Sequence, residues 1–286
     1  MTAPLAPAAF ETLANLLKTK SGLIIGMDKL YLLETRLVGI VKREKLADLN
    51  ALAERLRRPG CDALARDVVE AMTTNESFFF RDDKPFQHFR SQALPRIIAA
   101  RPAGSSLRVW SAASSSGQEA YSLAMIVAES AAALGGRKVE IIGTDIARDQ
   151  LARAREGIYS QFEVQRGLPV QLLMKYFKKD ESNWRISEAI RVMAQFREFN
   201  LLSDLRPLGK FDIVFCRNVL IYFDQPTKTR VLEAIAGLMP PDGLLYLGGA
   251  ETVLGITPRF APMPQERGVY GVVAAGVTAQ RMANAG

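Results

Sequence analysis

A run of small and turn-forming residues occupies positions 111–117, directly after a short apolar stretch at 107–110. Serine, alanine and glycine let a backbone bend sharply and let a ligand approach it closely. From 118 to 128 the apolar residues recur at the spacing of a helix packed on a sheet. Strand, small-residue loop and helix are typical of the first unit of a nucleotide-binding α/β fold, although an ordinary strand-to-helix turn would look the same.

An acidic residue ends the second predicted strand. Positions 138–144 (KVEIIGT) predict this strand, and Asp145 follows it. Nucleotide-binding folds bind ribose hydroxyls with an acid at this place. Asp145 lies 28 positions after Gly117, beyond the usual spacing of about 20. It could also cap a helix predicted at 146–154, and the two roles are compatible.

Two further segments carry polar side chains suited to a ligand. Arg217 and Asn218 follow a buried strand predicted at 210–216, and the carboxyl ends of parallel strands are where open α/β sheets bind ligands. Positions 73–81 (TTNESFFFR) place short hydrogen-bonding side chains before three phenylalanines and Arg81. Such residues can bind polar atoms, cover a ring and hold a carboxylate. A linker with its phenylalanines in the core would explain them equally well.

The elements that must position these residues divide the chain into regions. Leucine spacing predicts helices before residue 73, and the later segments alternate between strands and helices. Neither the dinucleotide motif G-x-G-x-x-G nor the P-loop motif is present. We predict a helical domain at 1–72, a linker and helix at 73–106, an α/β domain at 107–275 with a small antiparallel β insertion at about 160–199, and a loose tail at 276–286.

Composition narrows the classes of protein. The 286 residues are 48% hydrophobic and 23% charged, as in an ordinary globular protein, and no apolar run approaches the roughly 20 residues of a membrane span. Two distant cysteines predict reduced thiols in the cytoplasm, and a single histidine leaves few ligands for a metal, so we expect none. The net charge of +7 would suit an acidic partner.

Taken together, these segments resemble the chemotaxis receptor glutamate methyltransferases, the CheR family, over about residues 10–272. TTNESFFFR resembles the family's T-N-x-[T/S]-x-F-F-R, and VWSAASSSGQEAYSLAM resembles W-S-A-A-S-x-G-E-E-x-Y-S-[I/L]-A. CRNVLIYF, at 216–223, is the most specific match. The resemblance implies a Rossmann-like sheet of the SAM-dependent methyltransferases, S-adenosylmethionine (SAM) as methyl donor, S-adenosylhomocysteine as product, and glutamates on the cytoplasmic helices of methyl-accepting chemoreceptors as acceptors.

The resemblance also implies the residues of the site. Tyr222 and Arg81 would serve the transfer step, and basic residues of the helical domain, Arg36, Lys42 and Arg43, would contact the receptor. The donor would be bound by Asn75, Ser77, Arg81, Glu119, Asp145, Asn200, Leu201, Arg217 and Asn218. We expect a monomer that binds no nucleic acid and does not insert into a membrane.

Three positions depart from the family's pattern. Gln118 replaces the first glutamate of the usual pair, so the contact is expected from Glu119. Gly249 stands where the family often has histidine. The turn at 178–183 has no glycine, unlike the glycine-containing loop usual in members that dock a receptor's C-terminal pentapeptide, so the sequence does not support tail-tethered docking.

The expected reaction needs few residues. A glutamate carboxylate has a pKa near ~4.3 and is already ionised at neutral pH, so no general base is required. Two alternatives remain open: a SAM-binding adaptor without turnover, and an RNA methyltransferase suggested by the positive net charge. Against the second, the strand that would carry an N-P-P-[Y/F]-like turn ends in Arg217 and Asn218 followed by valine and leucine.

Overall fold

The computed structural model describes residues 4–273. These residues divide into two compact units. One contains the residues up to Thr74 together with Tyr222–Thr227, and the other contains Asn75–Ile221 together with the residues from Lys228 onward. The tail expected at 276–286 lies outside the described residues. No described helix is both long and apolar enough to cross a membrane.

Helices build the first unit. Apolar residues three or four positions apart give each helix one apolar face, and these faces form the core of the unit. The helices are α1 (Pro7–Ser21), α2 (Leu30–Arg43), α3 (Leu49–Leu56) and α4 (Asp62–Met72), with a 3-10 turn at Met27–Lys29. Their fully buried side chains include Leu13, Leu17, Leu33, Leu37, Leu52 and Val68. The helical prediction for this part of the chain is confirmed.

Strands and helices alternate through the second unit. The strands are β1 (Leu107–Ala112), β2 (Val139–Asp145), β3 (Ile158–Ser160), β4 (Phe177–Asp180), β5 (Asn183–Ile186), β6 (Ala194–Glu198), β7 (Ile213–Cys216), β8 (Leu244–Leu247), β9 (Phe260–Pro262) and β10 (Val269–Val272). The helices after α4 are α5 (Lys84–His88), α6 (Leu94–Ala100), α7 (Gln118–Glu129), α8 (Ala131–Leu134), α9 (Arg148–Glu156), α10 (Gln161–Gln165), α11 (Val170–Tyr176), α12 (Glu188–Arg191) and α13 (Gln225–Gly237). A π-helical segment, Phe89–Ala93, joins α5 to α6.

A seven-stranded sheet in the order β6-β2-β1-β7-β8-β10-β9 forms the centre of the second unit. The first five strands in this order pair in parallel, whereas β10 is antiparallel to both β8 and β9. β7 and β8 are buried along their whole length, as expected of central parallel strands covered on both faces. The Phe215 and Tyr246 rings stack between these strands with centroids 4.2 Å apart. The predicted α/β methyltransferase fold is confirmed.

The small antiparallel insertion is also present, in the order β3-β5-β4. Its extent differs from the prediction, because β6, which falls within the predicted insertion, pairs in parallel with β2 at the edge of the large sheet. The reason is the inward face of β6: Phe196 is buried and packs edge-on against Tyr121 at 5.4 Å between centroids. Phe196 also fills the space that a Cβ on Gly117 or Gly143 would need.

The single histidine belongs to the core of the second unit. His88, in α5, is buried, and its Nδ1 lies 2.7 Å from the Tyr246 hydroxyl oxygen. Burial lowers the pKa of His88 below its ordinary value of 6.5, because the charged form loses its hydration. This imidazole is therefore neutral at pH 7 and held in a structural hydrogen bond.

Candidate functional site

Polar segments collect at the carboxyl edge of the parallel strands. β1, β2, β6, β7 and β8 run in the same direction, so the residues that follow them emerge along one edge of the sheet. These are the loop 113–117, Asp145, Asn200 with Leu201, Arg217 with Asn218, and the turn 248–251. Five of the residues predicted to bind the donor belong to these segments: Asp145, Asn200, Leu201, Arg217 and Asn218.

The loop after β1 adopts an unusual backbone conformation. Ala113, Ser115 and Gly117 have φ values of 58°, 48° and 90°, which place all three in the left-handed region. This conformation costs a non-glycine residue roughly 1–2 kcal/mol and is found mostly where function requires it. The loop is held in place because Ser114 N–H donates to the Thr144 carbonyl at 2.9 Å. It therefore bends over the end of β2.

Asp145 is fixed by backbone amides of two segments. Its carboxylate accepts hydrogen bonds from Ser115 N–H at 2.8 Å and from Ala147 N–H at 2.9 Å. The residue is only 8% exposed. Helix α9 begins at Arg148, so the Asp145 side chain orients the turn before the helix instead of capping its first turn. The carboxylate thus has one defined direction at the end of β2, as a ribose-binding acid needs.

The Arg217 guanidinium joins three segments of the second unit. It donates to the Glu119 carboxylate at 3.1 Å, to the Asp82 carboxylate at 2.6 Å and to the Arg81 carbonyl at 2.9 Å. The other Glu119 oxygen accepts from the Ser111 hydroxyl at 2.8 Å. The Arg217 side chain is 1% exposed, and its Nε has no hydrogen-bond partner among the described residues. A buried cation with an unpaired N–H remains available for an oxygen atom of a ligand.

The segment before α5 contributes through both backbone and side chains. The Asn75 carbonyl accepts from the Ser115 hydroxyl at 3.0 Å. Ser77 is partly buried and forms no hydrogen bond within the described part of the chain. Phe79 is fully buried and contacts Tyr159, as the core interpretation of the phenylalanines predicts.

Arg81 and Arg166 lie on the same aromatic ring. Their guanidinium carbons are 5.2 Å and 4.1 Å from the centroid of Phe78. Arg81 also donates to the Glu76 carbonyl at 2.9 Å, and Arg166 pairs with the Glu76 carboxylate at 2.7 Å. The hydrogen bond from Arg166, together with the charge of Arg81, lowers the pKa of Glu76 below its ordinary 4.5. Because Glu76 is paired with Arg166, the charge of Arg81 is only partly compensated.

Other predicted site residues at this edge have partners of their own. The Asn200 side chain accepts from Leu202 N–H at 2.9 Å, and Leu201 is buried. Asn218 has a φ of 59°, and its side-chain nitrogen lies against Gly248. The structure brings Arg81, Glu119 and Arg217 together directly and connects the backbone of Asn75 to Asp145 through Ser115.

The remaining predicted residues belong to the first unit. The Tyr222 carbonyl accepts from Ile24 N–H at 3.0 Å. Arg36 donates to the Met72 and Thr73 carbonyls at 2.8 and 2.9 Å, so it satisfies carbonyls left open at the end of α4. Arg43 pairs with Asp67 at 2.6 Å. Lys42 forms no ion pair with any residue that the structure describes.

Three further residues that hold the cluster are not predicted by the sequence motifs. Asp82 pairs with Arg217, Ser111 binds Glu119, and Arg166 packs on Phe78. Asp82 follows Arg81 directly. Its φ of 67° places it in the left-handed region, which no sequence pattern predicts here. The partners of Asp82 and Arg166 lie 135 and 90 positions away, so only the fold brings them together.

Comparison with known proteins decides the family. Residues 75–269 match the family described as "CheR methyltransferase, SAM binding domain". The chain belongs to the CheR family. It is 38% identical over 255 residues to the "Chemotaxis protein methyltransferase Cher2" of Pseudomonas putida, covering 88% of this chain and 92% of that protein.

Two further relatives carry the same kind of name and are similar to this chain over most of its length. Identity to the "Chemotaxis protein methyltransferase 1" of Pseudomonas aeruginosa is 39% over 259 residues, covering 89% of this chain and 94% of the relative. Identity to the "Chemotaxis protein methyltransferase" of Vibrio parahaemolyticus is 36% over 255 residues, with coverage of 88% and 91%. This CheR protein is therefore a SAM-dependent methyltransferase of chemotaxis.

The polar groups at the sheet edge fit SAM. SAM carries a ribose diol in its adenosyl part and an α-amino carboxylate at the end of its methionine part. Asp145 offers a fixed carboxylate to hydroxyl groups, and the unpaired Nε–H of the buried Arg217 offers a donor to a carboxylate. Asp145 ends β2 and Arg217 follows β7, so the hydrogen-bond acceptor and the hydrogen-bond donor lie at two different strands, as an elongated ligand requires.

We expect Asp145→Ala to weaken SAM binding by roughly 1.5–3 kcal/mol, the scale of hydrogen bonds to a charged group. Isothermal titration with SAM measures this change. Asp204→Ala is the matched control, because Asp204 is an exposed aspartate paired with Arg206. An unchanged dissociation constant for Asp145→Ala would show that Asp145 does not bind the ribose.

Proposed function

We propose that this protein transfers the methyl group of SAM to glutamate side chains on the cytoplasmic helices of chemoreceptors and forms methyl esters there. The observation that carries the proposal is membership of the CheR family, whose relatives over most of the chain are named chemotaxis protein methyltransferases. Proteins that act on such helices work in the cytoplasm. The two cysteines of this chain are free and buried, which is compatible with that compartment.

The chemistry of the site supports a carboxylate acceptor. When bound, SAM supplies a sulfonium methyl group that a carboxylate oxygen can take in line, with no proton gained or lost. A site for this reaction therefore needs no general base, and the one histidine of the chain is committed to a buried hydrogen bond with Tyr246. Alignment of donor and acceptor can contribute roughly 7–11 kcal/mol to lowering a barrier of this kind.

Arg81 is the residue of this site that we expect to attract the acceptor. The charge of Arg217 is already taken up by ion pairs with Glu119 and Asp82. The carboxylate near Arg81 is Glu76, which is already paired with Arg166. Exclusion of water from the site would raise the pKa of an entering glutamate, and a nearby cation opposes that change. Arg81 would thus keep the acceptor ionised and directed toward the methyl group.

Radiolabelled methyl transfer from SAM to receptor-containing membranes tests the proposed activity. We expect labelled receptor, and we expect mild alkali to release the label as methanol, because an ester hydrolyses where an N-methyl group does not. Membranes without the receptor are the control. Label that survives alkali would contradict a glutamate ester, and SAM binding without any transfer would favour an adaptor.

We expect Tyr222→Phe to lower kcat by at least about tenfold while the dissociation constant of SAM changes little. The reason is that the hydroxyl is proposed to place the acceptor oxygen, and loss of one positioning contact has this scale of effect. Steady-state kinetics and isothermal titration separate the two quantities. Tyr176→Phe, which removes a surface hydroxyl bonded to Glu129, is the control. Unchanged kcat would end the assignment of Tyr222.

The outer face of α2 is proposed to contact acidic receptor helices, and Lys42 provides the cleanest test. Arg36 and Arg43 have partners within their own unit, so reversing their charge would also break those contacts. We expect Lys42→Glu to raise the KM for receptor, and added salt to raise the wild-type KM, since exposed charges are screened. Lys138→Glu, at the amino end of β2, should leave KM unchanged. A KM insensitive to Lys42→Glu and to salt would exclude this contact.

A further inference from the structure

One carboxylate of the second unit, Glu251, binds an unusual number of backbone amides. One of its oxygens accepts from Asn218 N–H at 2.8 Å and from Gly248 N–H at 2.7 Å. The other accepts from Val219 N–H at 3.0 Å and from Ile221 N–H at 3.2 Å. Glu251 is only 9% exposed, and no cation pairs with it among the described residues. Four backbone amides therefore converge on this one carboxylate.

These amides come from two different connections at the carboxyl edge of the sheet. Those of Asn218 and Val219 lie in the irregular stretch after β7, that of Ile221 belongs to a 3-10 turn at Leu220–Tyr222, and that of Gly248 opens the turn that follows β8. The segment after β7 includes Asn218, whose φ of 59° keeps it out of regular structure. Removal of the carboxylate would leave several N–H groups without an acceptor, which destabilises the segment wherever water cannot reach them. Glu251 thus determines the path of this segment.

The turn after β8 is built to let Glu251 and Asn218 approach each other. A Cβ placed on Gly248 would lie 2.6 Å from the Asn218 side-chain nitrogen and 2.8 Å from a Glu251 carboxylate oxygen. The next residue, Gly249, has no atom within 4 Å of such a Cβ. Neither glycine adopts a left-handed φ. Alanine is therefore compatible with the backbone at both positions but with the packing only at Gly249.

We propose that Glu251 is a positioning residue for methyl transfer. By holding the amides of residues 218, 219 and 221, it fixes the segment that begins at Arg217 and continues along the chain into Tyr222. Arg217 and Asn218 are proposed to contact the donor, so a shift of this segment would misalign the methyl group with its acceptor. The proposal rests on SAM-dependent transfer and does not depend on which residue accepts the methyl group.

Two variants test this role, one by changing the carboxylate and the other by changing the turn that packs against it. Glu251→Gln keeps the shape of the side chain but turns an NH2 group toward amides that need an acceptor, and Gly248→Ala presses on the same contacts without removing the charge. For each we expect kcat at least tenfold lower, while the KM for receptor changes less than threefold. We also expect faster hydrogen exchange in the peptide covering 217–222, measured by mass spectrometry, with unchanged exchange in β1.

The controls are Gly249→Ala, which meets no neighbouring atom, and Glu188→Gln, an exposed carboxylate paired with Arg191. Both should keep kcat within twofold of wild type. A folded Glu251→Gln with wild-type kcat, or with unchanged exchange at 217–222, would overturn the proposal. If Glu251→Gln fails to fold, Gly248→Ala decides: a kcat equal to that of Gly249→Ala overturns the role. Should wild type not methylate receptors, the proposed acceptor fails, and the exchange comparison still decides the role of Glu251.

Discussion

The buried guanidinium of Arg217 is the interaction on which the rest of the site depends. A cation with a side chain 1% exposed is tolerated only when it is paired and hydrogen-bonded, and here Glu119 and Asp82 supply the charges. Glu119 belongs to α7, Asp82 precedes α5, and Arg217 directly follows β7. One side chain therefore fixes three distant segments of the chain. Loss of the cation would leave the Glu119 carboxylate largely buried beside only the Ser111 hydroxyl.

Buried carboxylates elsewhere in the second unit are also fixed by groups from distant segments, but there the partners are backbone amides and not charged side chains. Two amides set the direction of Asp145, and four set that of Glu251. In each case the donors belong to loops at the carboxyl edge, so loop and side chain determine each other's position. The left-handed conformations at Ala113, Ser115 and Asn218 are compatible with such loops, because a dense set of hydrogen bonds can offset their strain.

Local sequence predicts the elements that carry their own signal. The strand, small-residue loop and helix at β1 and α7, the strand ending at Asp145, and the buried strand before Arg217 all follow from short-range patterns. The edge strand β6 does not, because its alternation of Ala194 and Phe196 suits either a small hairpin or the large sheet. Packing of Phe196 against Gly117, Gly143 and Tyr121 decides between them, and those partners are distant in sequence.

The site shows the same division between local and distant information. Motifs indicate Arg81, Asp145 and Arg217, but Asp82, Arg166 and Glu251 act through partners that only the fold supplies. The proposed transfer to an ionised carboxylate needs no general base, so it would leave no nucleophile or proton shuttle to be recognised in the sequence. It would depend on the direction and charge of the groups around donor and acceptor, which hydrogen bonds between distant segments set. For such an enzyme, the residues hardest to predict are those that position the others.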